Sequence, residues 1–145
     1  PNIYPYDVIH TGGTAIFLAV GNHRQFRLMC QHIGQPALAQ DERFATAGQR
    51  SVHRAALKAL LEQAFATLDG ATLADELMAI GVPAAAVQDV RQALTHPHTV
   101  HRDMVVRMGD YQGLGAPVKL GRTPATYRHA PLSEGLDFSS TEGDE

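Results

Sequence analysis

A chain of 145 residues, 44% hydrophobic and 19% charged, is long enough for one ordinary domain with a real core and too apolar to stay unfolded. The formal net charge is −3, but Glu134, Asp137, Glu142, Asp144 and Glu145 crowd the last twelve residues, and the body before them carries 10 acids against 12 bases. That balance, with no Lys/Arg cluster interleaved with aromatics, argues against a nucleic-acid partner; the longest apolar run, six residues from Ala15 to Val20, falls far short of the ~20 that span a bilayer, so no membrane partner is expected.

Cys30 is the only cysteine, which rules out an internal disulfide framework and suits a reducing, cytoplasmic setting. The opening Pro1-Asn2-Ile3-Tyr4-Pro5-Tyr6 has neither the basic nor the apolar region of a signal peptide. It lacks an initiator Met and reads as the middle of a segment, which suggests a domain cut from a longer chain. At the other end, residues 133–145 are polar, acidic and Gly/Ser-bearing, and are expected to form a flexible tail after a single domain over 1–132.

In chain order, Tyr6 to Ile9 and Ala15 to Val20 predict two strands, and Thr11-Gly12-Gly13-Thr14 between them predicts a hairpin turn. Asn22, with Gln25 three residues on, predicts a capping box at the start of a helix whose Phe26, Met29, Cys30 and Ile33 share one face. Gly34 and Pro36 end it. A second helix is expected from about Gly48 or Ser51 to Leu68, carrying the stripe Leu57, Leu60, Leu61, Ala64, Phe65 and Leu68. A third follows a Thr72 cap with Asp75 completing its box. Val82 to Val87 reads as a proline-bearing edge strand, and Asp89 caps a fourth helix through Leu94. Met104 to Met108 and Ala116 to Leu120 read as two further strands, with Asp110-Tyr111-Gln112-Gly113 turning between them. The sum is α+β, helices packed on a short, mainly antiparallel sheet in two layers.

Few residues point to chemistry by themselves. His96-Pro97-His98-Thr99-Val100-His101 has a spacing that could gather three imidazoles. It lacks an acidic ligand at a helical offset, and Pro97 is expected to break any helix through it, so it reads as a helix-to-strand turn with surface histidines and no metal is assigned. His23, His32 and His53 fall on solvent sides of their helices. Cys30 lies on an apolar stripe and reads as a core thiol. Gly12-Gly13 and Gly113-Leu114-Gly115 match neither phosphate-binding fingerprint, and neither a Ser nucleophile elbow nor a paired-carboxylate site is present.

Longer stretches are more specific. Pro1 to Tyr6, Ile16-Phe17-Leu18-Ala19-Val20-Gly21-Asn22, Gln25 to Cys30, Ile33-Gly34-Gln35-Pro36, Asp41-Glu42-Arg43-Phe44, Arg50, Gly81-Val82-Pro83-Ala84, Val87-Gln88-Asp89-Val90, Arg102-Asp103-Met104-Val105, Ala116-Pro117 and Ala130-Pro131-Leu132 together resemble the class III CoA-transferases, the CaiB/BaiF family. That family includes formyl-CoA and carnitine-CoA transferases and the α-methylacyl-CoA racemases. The resemblance implies the small α+β domain of such an enzyme, whose partners are a large domain of the same protein and, in an interlocked homodimer, a second subunit. In the transferases an Asp of the large domain forms an acyl anhydride and then a CoA thioester. The resemblance therefore places no catalytic residue in this chain and leaves Asp7, Asp89 and Asp103 without that role. It implies coenzyme A or acyl-CoA as a substrate and no tightly bound cofactor.

Asn2, Ile3, Tyr4, Pro5 and Tyr6 match the family segment that follows a glycine-rich loop, which implies that they face the acyl end of the substrate. The alternative for each is a proline-stiffened lead into the first strand. Gly12-Gly13 stands where relatives carry a pair with an Asp, and Ser133-Glu134-Gly135-Leu136 where they carry a Gly-Glu-His run. Two other readings stay open: a fragment of a racemase-type enzyme, whose His/Asp acid–base pair would also lie outside this chain, and a free-standing binding or association module.

Overall fold

A computed structural model describes residues 3–131. The expected acidic tail, residues 133–145, lies outside the described residues. The chain divides into two compact units, Pro1–Gln88 and Asp89–Glu145, so the single domain read over 1–132 spans a boundary between Gln88 and Asp89.

The first unit is an α+β fold. Strands β1 (Tyr6–Ile9), β2 (Ile16–Ala19) and β3 (Ala84–Ala86) form an antiparallel sheet in the order β1-β2-β3. Strand alternation divides its two faces. Ile9, Ile16 and Leu18 are buried against the helices, whereas Tyr6, Phe17 and Ala85 point the other way. The covering layer is α1 (His23–His32), α3 (Arg54–Phe65) and α4 (Gly70–Ala79), with the short α2 (Ala47–Val52) before α3. These helices bury Phe26, Met29 and Cys30; Leu57, Leu61 and Phe65; and Leu73 and Leu77 in one continuous core with the sheet.

The first hairpin and α1 form where the sequence places them. Asn22 Oδ1 accepts from the Gln25 N–H at 2.9 Å. Gln25 reaches back one residue further than a capping box requires: its Oε1 accepts from Gly21 N–H at 2.9 Å, and its Nε2 donates to the Gly81 carbonyl at 3.3 Å.

Two helix assignments are corrected. The expected helix from Gly48 or Ser51 to Leu68 is two helices, broken at His53 (φ −95°, ψ 26°). At 100° per residue an unbroken helix would set Arg54 on the inward stripe of Arg50, Leu57 and Leu61; the break leaves Arg54 exposed. The next helix, α4, is capped three residues before the expected Thr72. Asp69 is the cap, accepting from the N–H (2.9 Å) and hydroxyl (2.8 Å) of Thr72. These hydrogen bonds, the backbone one first, hold the Asp69 carboxyl below its ordinary value of 3.8. A group with a lowered folded-state pKa stabilises the fold above its unfolded pKa and loses that contribution as pH falls through the folded one. Asp69→Ala should therefore lower the thermal midpoint at pH 7 and flatten its decline below about pH 4; parallel melting curves for the two proteins across pH 3–7 would overturn the assignment.

In the second unit Asp89 caps α5 (Val90–Thr95) with a full capping box to Gln92. As expected, no helix runs through Pro97: α5 ends at Thr95, and Pro97 begins a separate short helix, α6 (Pro97–His101), where a turn was expected. The first helical position tolerates proline because its missing N–H would be unpaired there anyway. His96 Nδ1 accepts from His98 N–H at 3.2 Å. Strand β4 (Val105–Met108) matches the expectation, but its partner β5 is Tyr111–Leu114, where a turn was expected, and Ala116 to Leu120 is not a strand. Gly109 at φ +56° lets the chain reverse through only Gly109 and Asp110, so Met108 pairs with Tyr111.

Candidate functional site

The residues singled out at the N-terminus divide by environment. Asn2 lies outside the described residues. Ile3 and Tyr6 are exposed, at 41% and 49% of their surface. Tyr4 and Pro5 are buried. Tyr6 meets Phe17 edge-on, with ring centroids 5.1 Å apart and planes at 88°. Beside Phe17 lies an open apolar groove of about 160 Å³ walled by Phe17, Ala19, Pro83, Ala84 and Ala85 of the sheet and by Met78 of α4.

Beneath this segment is a buried cation that sequence reasoning did not assign. Arg50 has no exposed surface. Its Nε donates to the Tyr4 carbonyl at 2.8 Å and its Nη1 to the Phe44 carbonyl at 3.0 Å. Its guanidinium lies over the Phe26 ring, 4.6 Å from the centroid. No hydrogen-bond partner meets its Nη2, and burial pushes its pKa down from the ordinary arginine value, partly offset by Cys30. Carbonyl oxygens and a ring face, with no carboxylate, hold this charge. The sequence carried part of the signal, since Leu57 and Leu61 follow Arg50 at i+7 and i+11, but Arg54 stood equally in phase with them and only the break at His53 separates the two. Outside the core, Arg54 stacks 5.0 Å from the Tyr4 ring and reaches Asp7 at 3.3 Å, with Lys58 at 3.7 Å from the same carboxylate.

Among the described residues these groups hold the N-terminal segment in place, and their titration does not suit them to acid–base work. Burial, reinforced by Asp7 and opposed by Arg54, pushes the Tyr4 hydroxyl up to about 12, so it cannot serve as a base near neutral pH. Burial likewise pushes the Cys30 thiol up to about 12 against the opposing charge of Arg50, in line with a core thiol. Iodoacetamide should leave Cys30 unlabelled in the native chain at pH 8 and label it after denaturation; rapid native labelling would contradict its burial. Asp89 caps α5, and Asp103 sits at φ +47° just after α6. His32 and Glu76 pair at 2.8 Å on the exposed surface. Among the described residues no group of three or more His, Cys, Asp or Glu is placed to hold a metal, and no helix is long and apolar enough to cross a membrane.

A small antiparallel sheet carries helices on one face, and a buried arginine ties down the proline-stiffened entry to its first strand. Comparison with known proteins gives the chain's family: the model of CoA-transferase family III matches residues 1–135, and the chain belongs to that family. It is 34% identical over 120 residues to the acetyl-CoA:oxalate CoA-transferase of Acetobacter aceti, covering 83% of this chain and 31% of that protein. It is 29% identical over 132 residues to the succinate–glutarate CoA-transferase of Agrobacterium fabrum, covering 88% and 33%. Among solved structures, a CaiB/BaiF family protein from Brucella suis superposes with a TM-score of 0.79 at 35% identity, over 86% of this chain and 33% of that one. The chain thus spans about a third of the length of the curated relatives it matches.

Proposed function

We propose that this chain is the small domain of a CoA-transferase that moves coenzyme A between an acyl-CoA and a carboxylic acid. The supporting observation is the family match across nearly the whole chain, with relatives that bear CoA-transferase names. The reaction needs a nucleophilic carboxylate in a closed site. In this reading the carboxylate is an Asp of a large domain outside this chain, as the resemblance to the family implies.

In this reading that Asp attacks the thioester carbonyl and expels CoA thiolate, leaving a mixed anhydride. The thiolate then attacks the aspartyl carbonyl of the anhydride, releasing the first acid and forming an aspartyl-CoA thioester. The incoming carboxylate attacks this thioester, expelling CoA thiolate and forming a second mixed anhydride; the thiolate then attacks the new acyl carbonyl, giving the product acyl-CoA and freeing the Asp carboxylate, so a series of easier steps replaces one hard transfer. CoA is substrate throughout. This chain would contribute Ile3 and Tyr6 as a wall at the acyl end, with Tyr4, Pro5 and Arg50 fixing their position from beneath. The working assembly would be an interlocked homodimer in the cytoplasm.

The test is CoA exchange between an acyl-CoA and an isotopically labelled free acid, followed by mass spectrometry. The full-length gene product should exchange CoA and the 145-residue chain should not. Exchange by the short chain alone would overturn the proposal, as would a full-length product inert toward both dicarboxylic and monocarboxylic acyl-CoAs.

A further inference from the structure

The sheet of the first unit has one face that the helices leave open. Tyr6 and Val8 of β1, Phe17 and Ala19 of β2, and Ala85 of β3 send their side chains to it, and all five are exposed or half-buried. None of them is charged. Asp7, the acid of β1, turns to the opposite face, where Arg54 and Lys58 approach its carboxylate at 3.3 and 3.7 Å. The register makes the open face continuous. Tyr6 pairs with Ala19 across β1 and β2, and Phe17 with Ala85 across β2 and β3. Phe17 therefore meets the Tyr6 ring on one side and walls the apolar groove on the other. That groove, about 160 Å³, is close in size to an apolar cavity of ~150 Å³ that takes up benzene in another protein. Among the described residues no Lys, Arg, Asp or Glu lines it.

We infer that this groove receives the tail of the acyl group, and that the substrate class is the CoA ester of a monocarboxylic acid with a hydrocarbon tail of up to about six carbons. This rests on the reading of the chain as part of a CoA-transferase with Tyr6 at the acyl end. The groove discriminates in two ways. Each methylene that leaves water for an apolar wall favours binding by about 4-fold. A second carboxylate at the far end of the tail would lose its hydration and meet no cation in exchange. A longer hydrocarbon therefore improves a substrate until the groove is full, and a terminal carboxylate spoils it. Tyr6 and Phe17 form the near end. Ala85, with only a methyl group, leaves open the space that the tail fills.

The experiment is self-exchange on the full-length gene product, between an acyl-CoA and the isotopically labelled free acid of the same acyl group, so that donor and acceptor carry one tail. From propionyl-CoA to hexanoyl-CoA, kcat/KM should climb about 4-fold per methylene. Butyryl-CoA should exceed succinyl-CoA, of equal carbon number, by on the order of 100-fold or more. Ala85→Phe, which fills the groove, should lower the hexanoyl-to-propionyl ratio by roughly 10-fold or more. Ala85→Arg, which supplies a cation, should shift the butyryl-to-succinyl ratio toward succinyl by a similar factor. Position 85 is exposed, and a melting midpoint near that of the parent protein shows that each variant has folded; if one has not, the wild-type ratios still decide. A preference for succinyl-CoA over butyryl-CoA, or rates flat across chain length, would overturn the inference and leave the CoA-transferase reading standing. Folded variants with unchanged ratios would do the same. A full-length protein inert with every pair sinks that reading, and the inference falls with it.

Discussion

Arg50→Met should destabilise the first unit by about 3–5 kcal/mol, the range for removing one partner from a buried charged contact. Methionine approximates the aliphatic stem but leaves the Tyr4 and Phe44 carbonyls, now held at 2.8 and 3.0 Å, buried without donors. Each such orphaned acceptor costs roughly 1–3 kcal/mol, and the contact with Phe26 goes as well. One contribution opposes these. The substitution also removes a desolvated charge whose Nη2 has no partner, which brings the net toward the lower end of the range. Arg50→Lys keeps the charge but presents a single nitrogen where two carbonyls need separate donors, so it should recover only part of the loss. Urea unfolding reads both as a fall in midpoint at unchanged slope. A loss under about 1 kcal/mol for Arg50→Met, within the range of a surface substitution, would mean that the guanidinium does not hold the N-terminal segment. On the proposed reading of Ile3 and Tyr6 as an acyl-end wall, the same variant in the full-length protein should raise KM more than it lowers kcat.

Gly70→Ala should destabilise by about 3 kcal/mol or more, as overpacking against backbone does, although alanine normally favours a helix over glycine by about 1 kcal/mol. Gly70 opens α4 against the β1–β2 turn. A Cβ built there would fall 1.7 Å from the Thr14 carbonyl oxygen and 3.0 Å from Thr11 Oγ1. Backbone must move, and it is the backbone of the turn that sets the hairpin register. Gly48→Ala in α2 is the control of opposite sign. A Cβ there meets only Thr46 Oγ1 at 4.0 Å, so helix propensity alone should stabilise by up to about 1 kcal/mol. Thermal melts of the two variants should move in opposite directions. A neutral Gly70→Ala would mean that the turn can retreat from α4, and the packing described for it would be wrong.

Much of the first unit was legible because its residues agree at every level. Ile16 to Ala19 alternates between buried and half-buried positions, Thr11 to Thr14 supplies a turn, and the Asn22 cap precedes a stripe of Phe26, Met29 and Cys30. The break at His53 was not legible, since the apolar stripe from Leu57 runs on in phase with Arg50 and only the need to turn Arg54 outward interrupts it. Nor was the register of the second ribbon. The run from Ala116 to Leu120 is as apolar as a strand, but the Gly109 reversal commits Met108 to Tyr111 and uses up the ribbon before that run begins.

The candidate site divides in the same way. The match from Pro1 through Leu132 was carried by the sequence alone, as were the α+β class and the core thiol. Those properties depend on composition, periodicity and local motifs, each readable within a few neighbouring residues. Only the tertiary structure decided that Tyr4 and Pro5 face inward while Ile3 and Tyr6 face outward, and that Arg50 ties Tyr4 to Phe44. Each of these is set by groups far apart in the chain, such as Arg50 and Tyr4 at 46 positions' separation. Burial and hydrogen-bond satisfaction are properties of the assembled unit, and no local pattern encodes them.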